Sequence, residues 1–265
     1  MYNPIGSIAT EALSGSRRDS NRLTKLTTKT LLSIVVPALD EATTIPLLLT
    51  DLRDLRVSHE IIVVDGGSTD TTARIAAECG ARVVLAPSGR GFQLRAGASA
   101  ATAELLWFLH ADVRVGPDVL RAVERIAESG ERGAFAFRLA IDSPGASYRL
   151  LERLANLRSR RLSLPYGDQS LLVARADYDS AGGFPPIPIM EDVALVRALR
   201  RITSVSMLDS AVRVSPRRWQ RDGVFRSTVR NSLLLAAYML GAPPGWIAAL
   251  YRPHSSNASP DKTAT

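Results

Sequence analysis

The chain has 265 residues, of which 46% are hydrophobic and 22% charged, with a formal net charge of +7 and one cysteine. A chain of this length can bury a large core without disulfides or structural metals. The lone Cys79 excludes a disulfide framework and a cysteine-cluster zinc site. The composition also excludes collagen-like, coiled-coil and disordered proteins. The chain has no uninterrupted apolar run of about 18 residues, so no membrane span is predicted.

The positive charge is unevenly distributed. Residues 1–30 carry +3 and residues 252–265 carry +1, while residues 31–251 carry +3 without a single Lys. Arg in place of Lys, together with abundant Ala, indicates biased coding composition, so the charge does not require a nucleic-acid partner and none is predicted. The Arg-rich stretches 149–161 and 213–230 suit phosphate or an anionic surface, although a solvated face is the ordinary alternative.

Both ends of the chain are predicted to be disordered extensions. Residues 1–30 are rich in Ser, Thr, Asn and Arg and lack the apolar middle region of a secretory signal, and residues 252–265 have the same character. Residues 31–251 are predicted to form one α/β domain. We expect the protein to be cytoplasmic, with the inner face of the membrane as a further option.

Strand and helix patterns alternate from residue 31 onward. Continuous apolar runs predict buried strands at 31–36, 60–65, 81–86 and 104–109, and the intervening patterns predict helices at 43–55, 68–79 and 92–102, with a further helix from Pro117. Four successive strand–helix units favour a mostly parallel sheet flanked by helices. The second half is less regular, with strands predicted at 133–140 and 169–175, helices at 146–161 and 191–201, and helical character over 223–250.

Polar residues follow three of these predicted strands. Asp40 and Glu41 follow the first strand, the second ends in the segment 65–70, and His110 and Asp112 follow the fourth. Ligands of open parallel sheets bind beyond the carboxyl ends of the strands, so the sequence predicts a site at this edge. Taken alone, an acid such as Asp70 is typical of a helix cap.

The ordered motifs VVPALDE, VVDGGSTD, GRGFQLRAG, FLHAD, GDQ, MED and SPRRW resemble the inverting family 2 glycosyltransferases of the GT-A fold. The resemblance covers roughly residues 31–251. Within the family it is similar to a bacterial subgroup that carries HAD, GDQ and RRW motifs and is associated with radical-SAM or selenium-related genes. It implies a nucleotide-sugar half at 31–115 and an acceptor half at 116–251. It also implies a nucleoside-diphosphate sugar donor, with a UDP-sugar favoured, and an unknown acceptor that could be lipid-linked.

The resemblance implies five nucleotide-binding residues. Asp65 would accept a hydrogen bond from the imide N–H of the base, which Pro37 and Leu39 would frame. Glu41 would lie near the nucleoside, and Arg90 would contact the diphosphate. The alternatives are that Asp65 caps the helix that follows it and that Arg90 is simply exposed.

His110 and Asp112 stand where the family has its Asp-x-Asp metal motif. A divalent cation, Mn²⁺ or Mg²⁺, would neutralise the departing diphosphate. Asp112 is the predicted direct ligand, and His110 is either a further ligand or a hydrogen-bond donor to phosphate. An imidazole suits Mn²⁺ better than Mg²⁺, so the metal preference stays open. The missing first carboxylate motivates the alternative function of a catalytically degenerate nucleotide-sugar-binding protein.

On the acceptor side, the resemblance implies that Gly167, Asp168 and Gln169 form a floor for the transferred sugar or the acceptor. The element Arg217-Arg218-Trp219 would bring cationic and aromatic surface to the diphosphate or acceptor, and Arg218 and Trp219 are the residues chosen from it. The alternatives are a turn for the first group and a buried Trp beside a surface Arg for the second.

The acidic pair Glu191–Asp192 matches the catalytic acids of the family. Inverting transfer needs one base to take the proton of the attacking hydroxyl, and Asp192 is the predicted base with Glu191 as its substitute. Acids that begin a helix are the alternative, because the helix dipole favours them there. The Gly/Pro-rich loop 182–188 just before the pair is predicted to close over the sugar.

Two other enzyme classes lack their signatures. A nucleotidyltransferase would carry a Gly-rich basic loop directly after the first strand, and a dinucleotide oxidoreductase would carry G-x-G-x-x-G after a strand. The apolar segment 233–251 is interrupted by Gly and Pro. It is predicted either to pack on the sheet or to lie at a membrane interface beside the Arg-rich 213–230 stretch.

Overall fold

The computed structural model describes residues 30–165 and 167–251, without the side chain of Arg218. The predicted disordered extensions at 1–30 and 252–265 therefore lie outside the described residues, apart from Thr30. Within the described ranges, no helix is long and apolar enough to cross a bilayer.

The described strands form one mixed sheet with the order β3-β2-β1-β4-β7-β6-β8-β5. The strands are β1 Leu32–Ala38, β2 His59–Asp65, β3 Arg82–Leu85, β4 Leu105–Phe108, β5 Val113–Arg114, β6 Ala134–Ile141, β7 Leu171–Ala174 and β8 Val205–Val214. Neighbours pair in parallel from β3 to β4 and between β6 and β8, and the remaining pairs are antiparallel. The predicted mostly parallel α/β sheet is confirmed.

Helices cover both faces of the sheet. They are α1 Ile45–Asp51, α2 Thr72–Glu78, α3 Arg90–Ala100, α4 Pro117–Ser129, α5 Ala146–Leu162, α6 Arg175–Ser180, α7 Glu191–Leu199, α8 Arg217–Asp222, α9 Val224–Met239 and α10 Pro244–Leu250. Alternate residues of β1 belong to separate apolar clusters, with Ile34 and Val36 in one and Val35 in the other. This two-sided burial explains why β1 is a continuous apolar run.

Three sequence predictions differ from the structure. The second helix begins at Thr72 rather than at Ser68 or Thr69, because residues 66–71 form a loop that bonds to carboxylates. The strand predicted at 169–175 is limited to β7, since residues 167–169 form a 3₁₀ turn and α6 begins at Arg175. The strands β5 and β8 were not predicted. The polar interruptions and half-exposed positions of β8 hide its two-residue period.

Helix α3 lies unusually close to the sheet at Gly97. A Cβ atom there would come within 2.3 Å of Val35 Cγ1 and 2.8 Å of Val64 Cγ2. One turn earlier, the buried Gln93 amide donates hydrogen bonds to the carbonyls of Ala38 (2.8 Å) and Val64 (2.9 Å). Helix α3 therefore holds the ends of β1 and β2 together and fixes the edge of the sheet at which the site lies.

Strand β6 completes its hydrogen bonding with side chains. Its pairing with β7 covers only Ala134 and Phe135. Farther along, Asn156 Oδ1 accepts the N–H of Leu139 at 2.8 Å, and Asn156 Nδ2 donates to the carbonyl of the same residue at 3.0 Å. Side chains thus supply the partners that a neighbouring strand would otherwise provide.

This arrangement inverts the usual polarity of helix α5. Its buried face carries Glu152, Asn156 and Ser159. Its outer face carries Leu150, Leu154 and Leu157, each about half exposed, at 57%, 53% and 50%. Helix α5 therefore presents an apolar stripe to its surroundings, whereas a surface helix normally presents a polar one.

Candidate active site

The loops after β1 and β2 are joined to each other by carboxylates. Asp40 adopts a left-handed conformation with a φ of 53°, and its Oδ1 accepts the N–H of Thr69 at 2.8 Å. Asp70 accepts the N–H groups of Thr72 at 2.8 Å and Ala42 at 3.2 Å. Asp70 therefore acts as a local cap. The two loops form one rigid edge, because each supplies hydrogen-bond acceptors to the other.

Asp65 lies at the end of β2 and is only 3% exposed. Its carboxylate accepts the N–H groups of Gly67 (3.2 Å) and Ser68 (3.1 Å) and the hydroxyl of Ser68. These contacts close the loop that follows β2. Asp65 therefore acts much as the capping alternative of the sequence analysis expects. Pro37 is buried at the paired end of β1, and Leu39 beyond it is 43% exposed.

Glu41, Asp112 and Arg217 form a charged group next to these loops. Burial raises the pKa of Glu41, and the negative charges of Asp112 and Asp70 raise it further, while a hydrogen bond from Thr44 and the charge of Arg217 oppose them. Arg217 begins α8 and donates to Thr43 Oγ1 at 3.3 Å. The structure thus brings Asp112 within electrostatic range of Glu41. It also places Arg217, the first residue of the predicted arginine-tryptophan element, within electrostatic range of Glu41.

The acidic pair is bound by Arg90. Glu191 is 1% exposed, and its carboxylate accepts a hydrogen bond from Arg90 Nε, while Arg90 Nη2 lies 3.5 Å from Asp192 Oδ2. Burial raises the pKa of Glu191 above its ordinary value, and Arg90 acts in the opposite direction. Asp192 keeps 13% of its side chain accessible, so it is the member of the pair that can reach a ligand.

Gly167 separates His110 from Asp192. Its N–H donates to Asp192 Oδ2 at 2.7 Å. A Cβ atom at this position would lie 2.8 Å from His110 Nε2 and 3.1 Å from Asp192 Oδ2, so only glycine fits without displacement. The end of β4 and the start of α7, more than 80 residues apart in sequence, therefore meet at one backbone position.

The other predicted acceptor-side residues divide into two groups. Asp168 and Trp219 line a small cavity together with His110 and Asp112, and Trp219 is also part of the apolar core at 8% exposure. Gln169 is fully buried, and its Nε2 donates to the carbonyl of Phe137 at 3.3 Å. Gln169 therefore completes the β6 edge in this structure, and the Arg218 side chain lies outside the description.

Within the described residues, no three His, Cys, Asp or Glu side chains converge as a preformed metal site. Asp112 and His110 both line the small cavity, so two protein ligands are available there. Mg²⁺ and similar cations at nucleotide sites are commonly held by one or two carboxylates together with phosphate oxygens. The donor set fits a cation that arrives with a diphosphate, not one caged by the protein.

The loop at 182–188 is anchored at its start. Phe184 is 2% exposed and packs edge-on against Phe108 at 4.9 Å between ring centroids. Gly91 in α3 also lies directly against this loop, because a Cβ atom there would come within 2.9 Å of the Pro185 carbonyl oxygen. The same Cβ atom would lie 3.1 Å from the carbonyl oxygen of Ile187, so the later part of the loop also packs against α3, and the predicted closure over a sugar stays a prediction.

A cavity of about 530 Å³ opens beside the acidic pair. Its lining includes Arg90, Asp168 and Asp192 as well as residues of α9 and α10. Sequence reasoning offered only that 233–251 packs on the sheet or lies at an interface. The cavity that Leu234, Leu235 and Ala248 help to line has no signal of its own in the sequence.

The family model described as glycosyl transferase family 2 matches residues 33–181, more than half of the chain. The chain belongs to glycosyl transferase family 2. The matched region includes His110, Asp112 and the turn at 167–169, and it ends before the acidic pair and Trp219.

Two curated relatives are similar over shorter stretches. The 4,4'-diaponeurosporenoate glycosyltransferase of Staphylococcus haemolyticus is 28% identical over 167 residues, which are 60% of this chain and 44% of that protein. An uncharacterised glycosyltransferase of Mycobacterium bovis is 37% identical over 81 residues, which are 30% of this chain and 36% of that protein. The chain thus spans less than half the length of these relatives.

Two solved structures share the fold. TarS 1–349 of S. aureus in complex with UDP-GlcNAc superposes with a TM-score of 0.56 at 16% identity, covering 69% of this chain and 58% of that one. The glucosyl-3-phosphoglycerate synthase of Mycobacterium tuberculosis, in complex with Mn²⁺, UDP and glucosyl-3-phosphoglycerate, superposes with a TM-score of 0.52 at 24% identity, covering 69% and 70%. The fold is the GT-A fold that the sequence resemblance implied.

Proposed function

We propose that this chain is a metal-dependent inverting glycosyltransferase that moves a sugar from a nucleoside-diphosphate sugar to an acceptor hydroxyl. One observation carries the proposal. Asp192, a carboxylate with an accessible edge, is held by the Gly167 N–H beside His110 and faces a cavity large enough for a ligand. The proposed proton acceptor would therefore lie next to His110, which is proposed to act on the diphosphate side.

The donor half of the proposal concerns the edge formed by β1, β2 and β4. Pro37, Leu39, Glu41 and Asp65 would bind the nucleoside there, with a UDP-sugar as the favoured donor. The two structural neighbours described above support this choice, because they are complexes with UDP-GlcNAc and with UDP and Mn²⁺. Arg217 is a further candidate for the diphosphate, because it begins α8 close to Glu41 and Asp112.

The cation would be held by Asp112, with His110 as a second ligand or as a donor to phosphate. When bound, Mn²⁺ or Mg²⁺ supplies positive charge that stabilises the departing diphosphate. The assignment to the bacterial subgroup with HAD, GDQ and RRW motifs belongs to this proposal as well, and it rests on the motifs alone.

The chain's own residues account for the acceptor half. The acceptor oxygen attacks the anomeric carbon while Asp192 takes the hydroxyl proton. The Gly167 N–H orients one carboxylate oxygen of Asp192, and Arg90 keeps a positive charge 3.5 Å from it. Glu191 is too deeply buried to exchange a proton with an acceptor, so its part is to fix Arg90.

A thermal-shift titration tests the donor and cation assignments. UDP with Mn²⁺ is expected to raise the melting temperature, because a ligand that binds only the folded state stabilises it. Asp112→Asn should lose most of the Mn²⁺-dependent part of the shift, while Asp54→Asn, an exposed acid of the 3₁₀ turn after α1, should keep it. Equal shifts in both variants, or no shift with UDP, GDP or their sugars, would contradict the proposal.

A turnover assay distinguishes the transferase from the alternative of a catalytically degenerate nucleotide-sugar-binding protein. A nucleotide-sugar-binding protein without catalysis would give the same thermal shift, but it would neither hydrolyse nor transfer any sugar from a panel of nucleotide sugars. Sustained release of nucleoside diphosphate from one of these donors decides for the transferase.

Peripheral membrane contact is the remaining part of the proposal. Phe225 in the first turn of α9 is 81% exposed, and the neighbouring Arg221 and Arg226 are exposed too, while Leu240 at the other end of α9 is 89% exposed. Apolar side chains next to Arg suit the interface of an anionic bilayer. Flotation with phosphatidylserine vesicles should show binding that weakens with salt. Absence of flotation at low salt would remove this part and leave the transferase untouched.

A further inference from the structure

The apolar stripe on the outer face of α5 is narrow and regularly spaced. Leu150, Leu154 and Leu157, each about half exposed, form this leucine stripe. They are four and then three residues apart, which is the spacing of a coiled-coil contact, where apolar side chains recur about every 3.5 residues. At about 3.6 residues per turn, the three side chains fall within an arc of about 60°. The stripe therefore has the width and the period of one side of a helix–helix contact.

The charged side chains that α5 exposes are all positive. Arg153 and Arg160 are exposed, lie seven residues apart and flank the leucine stripe on one side, and the exposed Arg161 continues its line. Glu152 is the only acid in the sequence of α5, and it is buried. Arg160 pairs with Asp209, whose side chain is 91% exposed, and such a surface pair contributes little. In a coiled coil, charges that flank the apolar positions pair with opposite charges on the other helix and set the choice of partner.

Three other occupants fit this surface less well. A two-fold contact between two copies of the chain would bring the arginines of both copies together. Residues 1–30 and 252–265 both carry net positive charge, so the ends of this chain do not complement the surface either. A helix that lies in a bilayer interface buries a broader apolar face, commonly with Trp or Phe, and the sequence of α5 contains neither. The complement is a second helix whose apolar stripe is flanked by carboxylates.

We propose that the outer face of α5 docks an amphipathic, acidic helix of another protein. The leucine stripe packs against the apolar stripe of that helix, and Arg153 and Arg160 pair with its Glu or Asp side chains. From Leu150 to Arg161 the surface is about 17 Å long, so the partner helix needs roughly three turns. A contact of this size belongs to the small and transient class of interfaces. Other residues line the cavities at the candidate active site, so this docking does not depend on the proposed function.

Two synthetic helical peptides of about 21 residues serve as probes. Both carry Leu at the two apolar positions of each heptad, and the flanking positions hold Glu in one peptide and Lys in the other. Fluorescence anisotropy with the full chain, below the concentration at which the peptides self-associate, measures their affinity. The Glu peptide should bind roughly tenfold more tightly than the Lys peptide, and this difference should shrink as salt is added.

Three variants locate the contact. Leu154→Asp should weaken binding of the Glu peptide by roughly tenfold, because it removes an apolar contact from the centre of the stripe. Leu85→Asp is the matched control, since it changes a leucine that is 77% exposed at the β3 edge of the sheet, and it should bind normally. The double variant Arg153→Glu with Arg160→Glu should prefer the Lys peptide. This gain of binding cannot result from misfolding, so it keeps the test decisive if Leu154→Asp folds poorly.

Equal affinity for the two peptides, or equal losses in Leu154→Asp and Leu85→Asp, overturns the inference. Two further measurements identify a different occupant. If neither peptide binds and Leu154→Asp abolishes flotation with phosphatidylserine vesicles, the surface contacts a membrane. If sedimentation shows a dimer of the parent chain that Leu154→Asp dissociates, the surface contacts a second copy. Either result contradicts docking of an acidic helix.

Discussion

The two parts of the sheet satisfy their backbones in different ways. From β3 to β4, neighbouring strands pair in parallel, and the loops beyond them are closed by Asp40, Asp65 and Asp70. From β7 to β8, strand β6 loses its antiparallel partner after Phe135, and the side chain of Asn156 takes over. The first part is a repeating backbone structure with a rigid edge. The second is an irregular structure whose geometry depends on individual side chains.

The candidate active site lies where these two parts meet. Arg90 begins the helix that packs on β1 and β2, and its partner Glu191 begins α7 in the other part. Gly167 likewise connects the end of β4 to Asp192. In the proposed function, the donor would bind at the edge of the regular part and the acceptor beside the irregular part.

The largest expected effect is on turnover at the boundary itself. Asp192→Asn should lower transfer by roughly 10²–10⁴, the range for loss of a general base, with donor affinity unchanged. The Asn side chain can still accept the Gly167 N–H, so the geometry is kept. Turnover at saturating donor, with donor affinity measured separately, is the assay. Near-normal turnover would refute the assignment, and a loss confined to Glu191→Gln would move the role one residue back.

The ion pair across the boundary should give the largest change in stability. Arg90→Met leaves the buried Glu191 without its counter-ion, and breaking such a pair costs about 3–5 kcal/mol. We expect a loss of stability at the low end of this range, because 34% of the Arg90 side chain is exposed. Urea unfolding measures the loss, and the double variant with Glu191→Leu should recover most of it.

A surface pair is the matched control for this prediction. Arg74→Met removes an exposed i,i+4 partner of Glu78 and should cost only about 0.3–0.5 kcal/mol. If Arg90→Met costs no more than Arg74→Met, the two parts of the sheet are not held together by this pair.

In the irregular part of the sheet, we expect an apolar substitution at a buried position to destabilise the protein. Asn156→Leu adds an apolar side chain to a buried position. It should nevertheless destabilise the protein by about 2 kcal/mol, because it leaves the N–H and carbonyl of Leu139 unpaired. Leu154→Asn, on the exposed stripe of the same helix, should stay within about 0.5 kcal/mol of the parent. Thermal unfolding measures the loss of stability in both variants. A larger loss in Leu154→Asn than in Asn156→Leu would contradict the assignment of the polar face of α5 to the interior.

The smallest effect is expected in the regular part and depends on pH. Since burial raises the pKa of Glu41 above 4.5, the folded state binds this proton more readily than the unfolded chain does. The contribution of Glu41 to stability therefore falls as the pH rises above this value. Glu41→Gln should gain stability relative to the parent near about pH 8 and little near about pH 4. A difference in melting temperature that is constant across this range would contradict the burial of this charge.

The regular part was predictable because each of its strands is a local pattern. LLSIVV, EIIVVD and ELLWFL are continuous apolar runs, and the polar residues directly after them mark the edge of the sheet. The irregular part was predicted less well for an equally physical reason. The pattern of residues 169–175 predicts one strand, yet Gln169 is used as a hydrogen-bond partner of β6 and Arg175 donates to three carbonyls, at Ala98, Ala101 and Ala103.

The site shows the same division between local and distant information. The resemblance to the family named Glu191 and Asp192 together, but only the structure shows that one is buried under Arg90 and the other accessible. The motif SPRRW pointed to Arg217 only as one of two neighbouring arginines, and the structure shows which acids it approaches.

Gly167 also bears on how this protein could be re-engineered. A single missing methyl group sets the spacing between the strand end that would face the leaving group and the acid that would accept the proton. In a single displacement these two groups act on opposite sides of one carbon, so their separation must match the length of the reacting centre and little else. Residue 167 is therefore the position at which this spacing can be changed without replacing either functional side chain.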